Sequence, residues 1–204
     1  TGAYNTGYGS YALDKTTTGT YNTAVGYTAL SANVLGTHSV AIGSGALASA
    51  NPGSTVAMFN TAVGPGAGNL VTTGVQNTFV GAAAGDGTDD GAYNTAVGYS
   101  ALSANCADNN TAIGRAAGEA CTGIGNVYAG YGAAQSVTSG DYNVVLGFSA
   151  ASQQALTGND NVVIGKVAGY VMQADANTNT IIGKAAGYSL TTGDNNLFLG
   201  LDAG

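Results

Sequence analysis

The chain has 204 residues, of which only 7% are charged, against roughly a quarter in an ordinary soluble domain. Four cations against eleven acids leave a net charge of −7, which excludes the basic face that nucleic acid or an anionic membrane surface requires. No run of eighteen apolar residues is present to span a bilayer as a helix, so the surface has to be built mainly from Thr, Asn, Ser and Gly.

Read from the N-terminus, one phrase returns about every seventeen residues. Its clearest copy is Asn22-Thr23-Ala24-Val25-Gly26-Tyr27-Thr28-Ala29-Leu30. The glycines that anchor the copies are Gly9, Gly26, Gly43, Gly64, Gly81, Gly98, Gly114, Gly130, Gly147, Gly165, Gly183 and Gly200. Three residues after each stands an alanine, and four residues before each stands an asparagine, except in the third copy, which has Ser39. A repeat this regular specifies a stacked architecture. The prediction is an all-β parallel β-roll or β-solenoid of about twelve seventeen-residue coils, forming one domain over 1–204. With strands about 4.8 Å apart, such a rod is roughly 55–60 Å long.

The first copy, around Gly9, is the most degenerate, as an end rung is expected to be. In the later copies the apolar run between asparagine and glycine is too short for a helix and suits a strand. The residue just before the glycine (Val25, Ile42, Val80, Ile113) is nearly always aliphatic and is expected to line the rung interior. The residue before that (Ala24, Ala41, Phe79, Val145) is apolar too, and is expected to point outward into an oligomer contact, because a strand apolar on both faces is covered on both. The next segment, such as Tyr27-Thr28-Ala29-Leu30, reads as a second short strand with its alanine in a tight place. Spacer glycines such as Gly19 and Gly74 read as corners with positive φ. The third spacer, around Pro52, reads as a protruding loop. Towards the C-terminus the residue after the asparagine changes from Thr to Val (Val127, Val144, Val162), which predicts a drier core there. Because the chain starts and stops within a repeat, it reads as a piece of a longer protein or a subunit of a larger assembly.

The structural ladder is represented by Asn22, Gly26 and Ala29, by Asn94, Gly98 and Ala101, and by Asn161, Gly165 and Ala168. In-register asparagines are expected to bond one another or the turn backbone. Cys106 and Cys121 fall at nearly equivalent places in consecutive spacers, which predicts a rung-to-rung disulfide. Asp86, Asp89 and Asp90 crowd one turn, a weak candidate for calcium, with a solvated acidic edge as the favoured reading. Three of the four cations, Arg115, Lys166 and Lys184, follow the anchor glycine, where other copies have Tyr27, Tyr99, Tyr131 and Phe148. Stacking aligns these as an outward stripe with cation–π contacts at Arg115, able either to dock a glycan or receptor or simply to shield the corner. His38, the only histidine, sits where other copies have Tyr21 or Tyr93 and reads as a surface residue beside a turn. No motif nominates a catalytic group, a cofactor or a metal cluster, and the expectation is a protein that is not an enzyme.

The phrase Asn-Thr-Ala-Val-Gly-Tyr with its Thr/Gly spacer resembles the repeats of phage tail-fibre and tailspike-type proteins, and His38-Ser39-Val40-Ala41-Ile42-Gly43 is similar to the head repeat of trimeric autotransporter adhesins. The resemblance implies a trimer of parallel, left-handed β-rolls with the outward-turned alanine face at the three-fold axis. It also implies an extracellular, cell-surface or virion location and a structural or adhesive role in a fibre. A self-assembling filament subunit is one alternative. An ice-binding or glycan-binding solenoid is another, and against ice stands the expectation that the threonines share a face with the core aliphatics.

Overall fold

A computed structural model describes residues 2–204. Twelve three-residue strands, one per repeat, run parallel in a single sheet whose order follows the sequence. They are β1 (Thr6–Tyr8), β2 (Thr23–Val25), β3 (Val40–Ile42), β4 (Thr61–Val63), β5 (Thr78–Val80) and β6 (Thr95–Val97). The second half continues with β7 (Thr111–Ile113), β8 (Val127–Ala129), β9 (Val144–Leu146), β10 (Val162–Ile164), β11 (Thr180–Ile182) and β12 (Leu197–Leu199). The result is the expected β-solenoid, of about 11 turns, with no helix among the described residues. Repeat matches repeat in register, so that Thr78 pairs with Thr95, Phe79 with Ala96 and Val80 with Val97.

The faces are the reverse of the expectation. The middle residue of each strand points into the coil, and Ala24, Ala41, Phe79, Tyr128, Val145 and Ile181 are fully buried. The residues on either side of it point out, and Ile113 is 50% exposed. The asparagine explains the inversion. It is two residues before the middle of the strand, so the two share a face, and Asn77, Asn94 and Asn126 are fully buried. The alanine face is therefore the lumen and not an oligomer contact. The valines at Val127, Val144 and Val162 lie on the outward face and do not dry the core; Val127 is 39% exposed.

The buried asparagines tie coil to coil. The Asn77 side-chain oxygen accepts the backbone N–H of Asn94 at 2.8 Å, and its amide nitrogen donates to the Gly91 carbonyl at 2.8 Å. The same double link recurs from Asn126 to Asn143 and Gly140, completing the predicted amide ladder. Two rungs lack part of it. Ser39 is too short to reach the next coil, and its hydroxyl is buried without a partner. The Asn94 amide nitrogen is unpaired as well, because the carbonyl at its corner, on Ala107, accepts from Asn110 instead at 3.1 Å.

The second half of each unit is a run of turns, not a second strand. The residues two and four after the anchor glycine are left-handed, with φ 54° at Thr28 and 50° at Leu30. Their N–H groups alternate in direction: Thr28 donates back to Ser10 at 3.0 Å and Leu30 donates forward to Ala46 at 3.0 Å. Each coil thereby grips both neighbours while the chain reverses. The left-handed cost, about 1–2 kcal/mol for a non-glycine residue, is offset by these inter-coil bonds.

Two glycine columns have different causes. Gly98 has φ +133°, and a Cβ there would lie 2.5 Å from the Gly114 carbonyl oxygen of the next coil. Spacer glycines such as Gly19 have no positive φ; a Cβ would lie 2.6 Å from the Gly36 carbonyl oxygen, so close backbone approach explains them.

Inside, size is matched across the lumen. Where the strand carries Ala24, Ala41 or Ala96, the facing turn carries Leu30, Leu47 or Leu102, all fully buried. Where the strand carries Phe79, the turn carries Gly85, and a Cβ on Gly85 would lie 2.5 Å from the phenyl Cδ1. The same ring also reaches over Gly68 of the preceding coil, at 2.8 Å from a Cβ built there. Between the strand and its facing turn, the lumen accepts one large side chain per level.

Candidate functional site

With the lumen filled, no pocket forms among the described residues, and the surfaces open to chemistry are the outward sheet face and its two edges. The face is two columns wide. One column holds Thr61, Thr78, Thr95 and Thr111 from four consecutive strands; the other holds Val63, Val80, Val97 and Ile113. No strand position on either column is charged. β-branched side chains in register on a hydrogen-bonded sheet are stiff, so the face is regular as well as apolar.

One edge of this face is the column after the anchor glycine. Arg115 lies between two rings, its Cζ 5.7 Å from the centroid of Tyr99 and 5.1 Å from that of Tyr131. Its Nη1 donates to the Tyr131 hydroxyl at 2.8 Å. Tyr131 stacks on Phe148 at 5.1 Å and 10°, and the Lys166 Nζ sits 5.8 Å from the Phe148 ring. The structure thus brings five residues of the stripe into one continuous stack. Lys184 is exposed one coil beyond Lys166, and Tyr27 stands apart, edge-on to Tyr11 at 6.0 Å.

The other edge, the column before the asparagine, holds a second stack that sequence reasoning did not assemble. Tyr4 stacks on Tyr21 at 4.9 Å, Tyr21 on His38 at 4.8 Å, and His38 tilts against Phe59 at 5.2 Å. All four have positive φ, which turns their rings outward. The signal was in the sequence: His38 occupies the tyrosine position of its repeat. Within the two stacks neighbouring coils cover the ring faces between them, while Tyr27 and Tyr93 lie outside the stacks and are exposed.

The other candidates resolve differently. Cys106 and Cys121 form no disulfide; both are buried free thiols. Each sulfur is engaged elsewhere: Cys106 with the Thr88 hydroxyl at 3.1 Å, Cys121 with the Tyr128 hydroxyl at 3.7 Å. Burial pushes the Cys106 thiol up to about 11 and raises Cys121 and the Tyr128 phenol as well, which makes all three unreactive near neutrality. Asp86, Asp89 and Asp90 do not converge on a metal position, and no group of three or more His, Cys, Asp or Glu among the described residues does. Asp89 is exposed and accepts from the Thr72 hydroxyl, while burial raises the Asp86 pKa and leaves its Oδ1 unpartnered.

Spacer carboxylates also have a structural use that was missed. Asp141 Oδ1 accepts the Ile124 N–H at 2.8 Å, Asn159 Oδ1 accepts from Asp141 at 2.7 Å, and Asp194 Oδ1 accepts from Asn177 at 2.7 Å. This second ladder runs two residues upstream of the first. Comparison of the chain with protein-family models, with curated proteins and with solved structures finds no match.

Proposed function

We propose that this chain is a structural and adhesive fibre module of an extracellular assembly, of the phage tail-fibre or surface-adhesin kind, whose outward sheet face is covered by further copies of itself in a trimer. The observation that carries the reading is that face: two uncharged columns, mostly threonine and aliphatic residues, running the length of a rod that has no pocket among the described residues. A rod of roughly 55–60 Å offers about 600–900 Å² over a strip 10–15 Å wide, within the range that a stable partner contact buries per chain. Backbone ladders and alanine-sized packing make such a rod stiff, which suits a shaft or head that holds a binding surface away from its base. Sedimentation or light scattering at several concentrations tests the assembly. A species of three chains supports it, open-ended growth favours a filament, and a single chain at every concentration refutes self-coverage.

A second reading rests on a separate observation. The threonines point outward, so the objection that they share a face with the core does not hold. Four consecutive strands present Thr beside an aliphatic residue at a spacing of about 4.8 Å between strands and about 7 Å along the strand, a regular uncharged array able to order water as ice does. Inhibition of ice recrystallisation by the single chain, abolished by Thr78→Lys, would support that role. The ring stacks weigh against a sugar platform, since a sugar packs on open ring faces.

A further inference from the structure

The departures from the repeat gather at one junction, between the coil of β3 and the coil of β4. The anchor glycines Gly43 and Gly64 are four residues further apart than the usual seventeen. The amide ladder stops there as well. Elsewhere each asparagine of the ladder accepts the backbone N–H at the same place in the next coil, as Asn22 accepts from Ser39 at 3.0 Å and Asn60 from Asn77 at 2.9 Å. Ser39 accepts nothing, so the Asn60 N–H has no acceptor among the described residues, and the Ser39 hydroxyl is buried without a partner. The aromatic edge loosens at the same height: Tyr21 and His38 lie 23° from parallel, His38 and Phe59 lie 40°.

The inserted chain is itself slack. Between Asn51, whose N–H donates to the Thr72 carbonyl at 3.0 Å, and Met58, whose N–H donates to the Thr37 carbonyl at 2.9 Å, no backbone N–H makes a hydrogen bond. Gly53, Ser54, Thr55 and Val56 are exposed. The bridge of Thr37 to this segment, with its N–H on the Val56 carbonyl at 2.9 Å, takes the place of corner bonds such as that of Tyr93 to Val75 at 3.0 Å and does not restore the ladder. Four extra residues supply roughly 13 Å of chain, more than the rung spacing of about 4.8 Å, so the two coils can part without unwinding either. Each coil of a solenoid rests only on its neighbours, and such a rod opens first at its weakest junction. We propose that this junction is a hinge, at which the coils of β1 to β3 part from the rest of the rod as a unit. The hinge does not depend on assembly through the sheet face.

Native-state hydrogen exchange on the unaltered chain reads the opening. The N–H groups of Val40 and Gly64 cross the junction, to Asn60 at 2.8 Å and Ile42 at 2.7 Å. Those of Thr61 and Gly81 cross the next one, to Asn77 and Val63, both at 2.8 Å. The first pair is expected to exchange about tenfold faster than the second. Thr23 and Gly43, which cross the preceding junction to Ser39 at 2.9 Å and Val25 at 2.7 Å, are expected to exchange no faster than Val40 and Gly64. Equal protection of the first and second pairs overturns the hinge. Fastest exchange at Thr23 and Gly43 also overturns it, because that is the order of fraying from the first coil. A variant then tests the cause. Asn60→Ser removes the acceptor of the Asn77 N–H and the donor to the Gly74 carbonyl at 2.7 Å, and it is expected to speed exchange at Thr61 and Gly81 about tenfold. Unchanged exchange at those two amides overturns the missing ladder link as the origin of the hinge.

Discussion

Asn77→Ala tests whether the amide ladder is what holds the coils together. The substitution removes the oxygen that accepts the Asn94 N–H at 2.8 Å and the nitrogen that donates to the Gly91 carbonyl at 2.8 Å. Its own backbone N–H keeps its bond to Asn60 at 2.9 Å. Two buried backbone groups are then unsatisfied, which costs about 2–5 kcal/mol. For a chain of this length that is a fall in melting temperature of roughly 5–15 °C. Asn77→Asp separates hydrogen bonding from shape. The carboxylate keeps the accepting oxygen but turns a second oxygen on the Gly91 carbonyl, and it is buried without a cation. Its folded pKa is therefore raised above the unfolded value, and the protonated form is the stabilised one. Relative to the unaltered chain the aspartate variant should be close to native below about pH 3.5 and lose stability as pH rises through its raised pKa. The assay is thermal unfolding by circular dichroism from pH 3 to pH 7, with hydrogen exchange at the Asn94 amide as the local readout. A melting point within about 1 °C of native for the alanine variant, or no pH dependence for the aspartate, refutes the reasoning.

Three further outcomes follow from the same geometry. Gly98→Ala meets both a forbidden φ and the Gly114 backbone and should unfold the middle coils, whereas Gly200→Ala, with nothing within 4 Å of its Cβ, should cost only the φ strain; equal melting points for the two would contradict the stacking account. Asp86→Asn should stabilise the chain at pH 7, since burial and then repulsion from Glu119 raise the aspartate's pKa, and the gain should vanish below about pH 3.5, where the unfolded and folded aspartates are both protonated. Thiol titration should count no reactive cysteine in the native chain near pH 8 and two after denaturation, and one mole of disulfide recovered instead would contradict the pairing of Cys106 with Thr88.

Period and register were open to sequence reasoning because every coil repeats the same instruction, and an error in one copy is corrected by the other eleven. Which face of the strand turns inward was not, because Ala24 and Val25 are both apolar and hydrophobicity cannot rank them. The deciding residue was polar. An asparagine held at zero exposure by two backbone partners fixes the inward face, and every second residue follows it. The turns were hidden for another reason. Leucine, threonine and valine are poor indicators of left-handed backbone, yet Leu30, Thr28 and Val167 adopt it because the stacked coils supply their hydrogen bonds. Gly45, Gly66 and Gly132 at the position of Thr28 were the available signal. The disulfide failed on a different ground: Cys106 stands eight residues after Gly98 and Cys121 seven after Gly114, and their sulfurs meet the hydroxyls of Thr88 and Tyr128 instead of each other.

The inverted faces also bear on why the chain would assemble. Its lumen is lined largely by alanine, whose burial contributes little per residue, while Val80, Val97 and Ile113 stand on the outside with more than a third of their surface open. An isolated coil of this kind depends on hydrogen-bond ladders, each bond contributing only about 0.5–1.5 kcal/mol, and gains modestly from its core. Covering the outer columns adds apolar burial at about 25 cal/mol per Å² on a face whose strands are already held in register, so little entropy is lost in forming the contact. In the proposed fibre the larger aliphatic side chains then complete a core shared between chains, and the alanine lumen serves as the narrow spacer that keeps the outer columns straight. Folding and assembly would be linked: a change such as Asn77→Ala weakens the coil and also disorders the face that a partner reads.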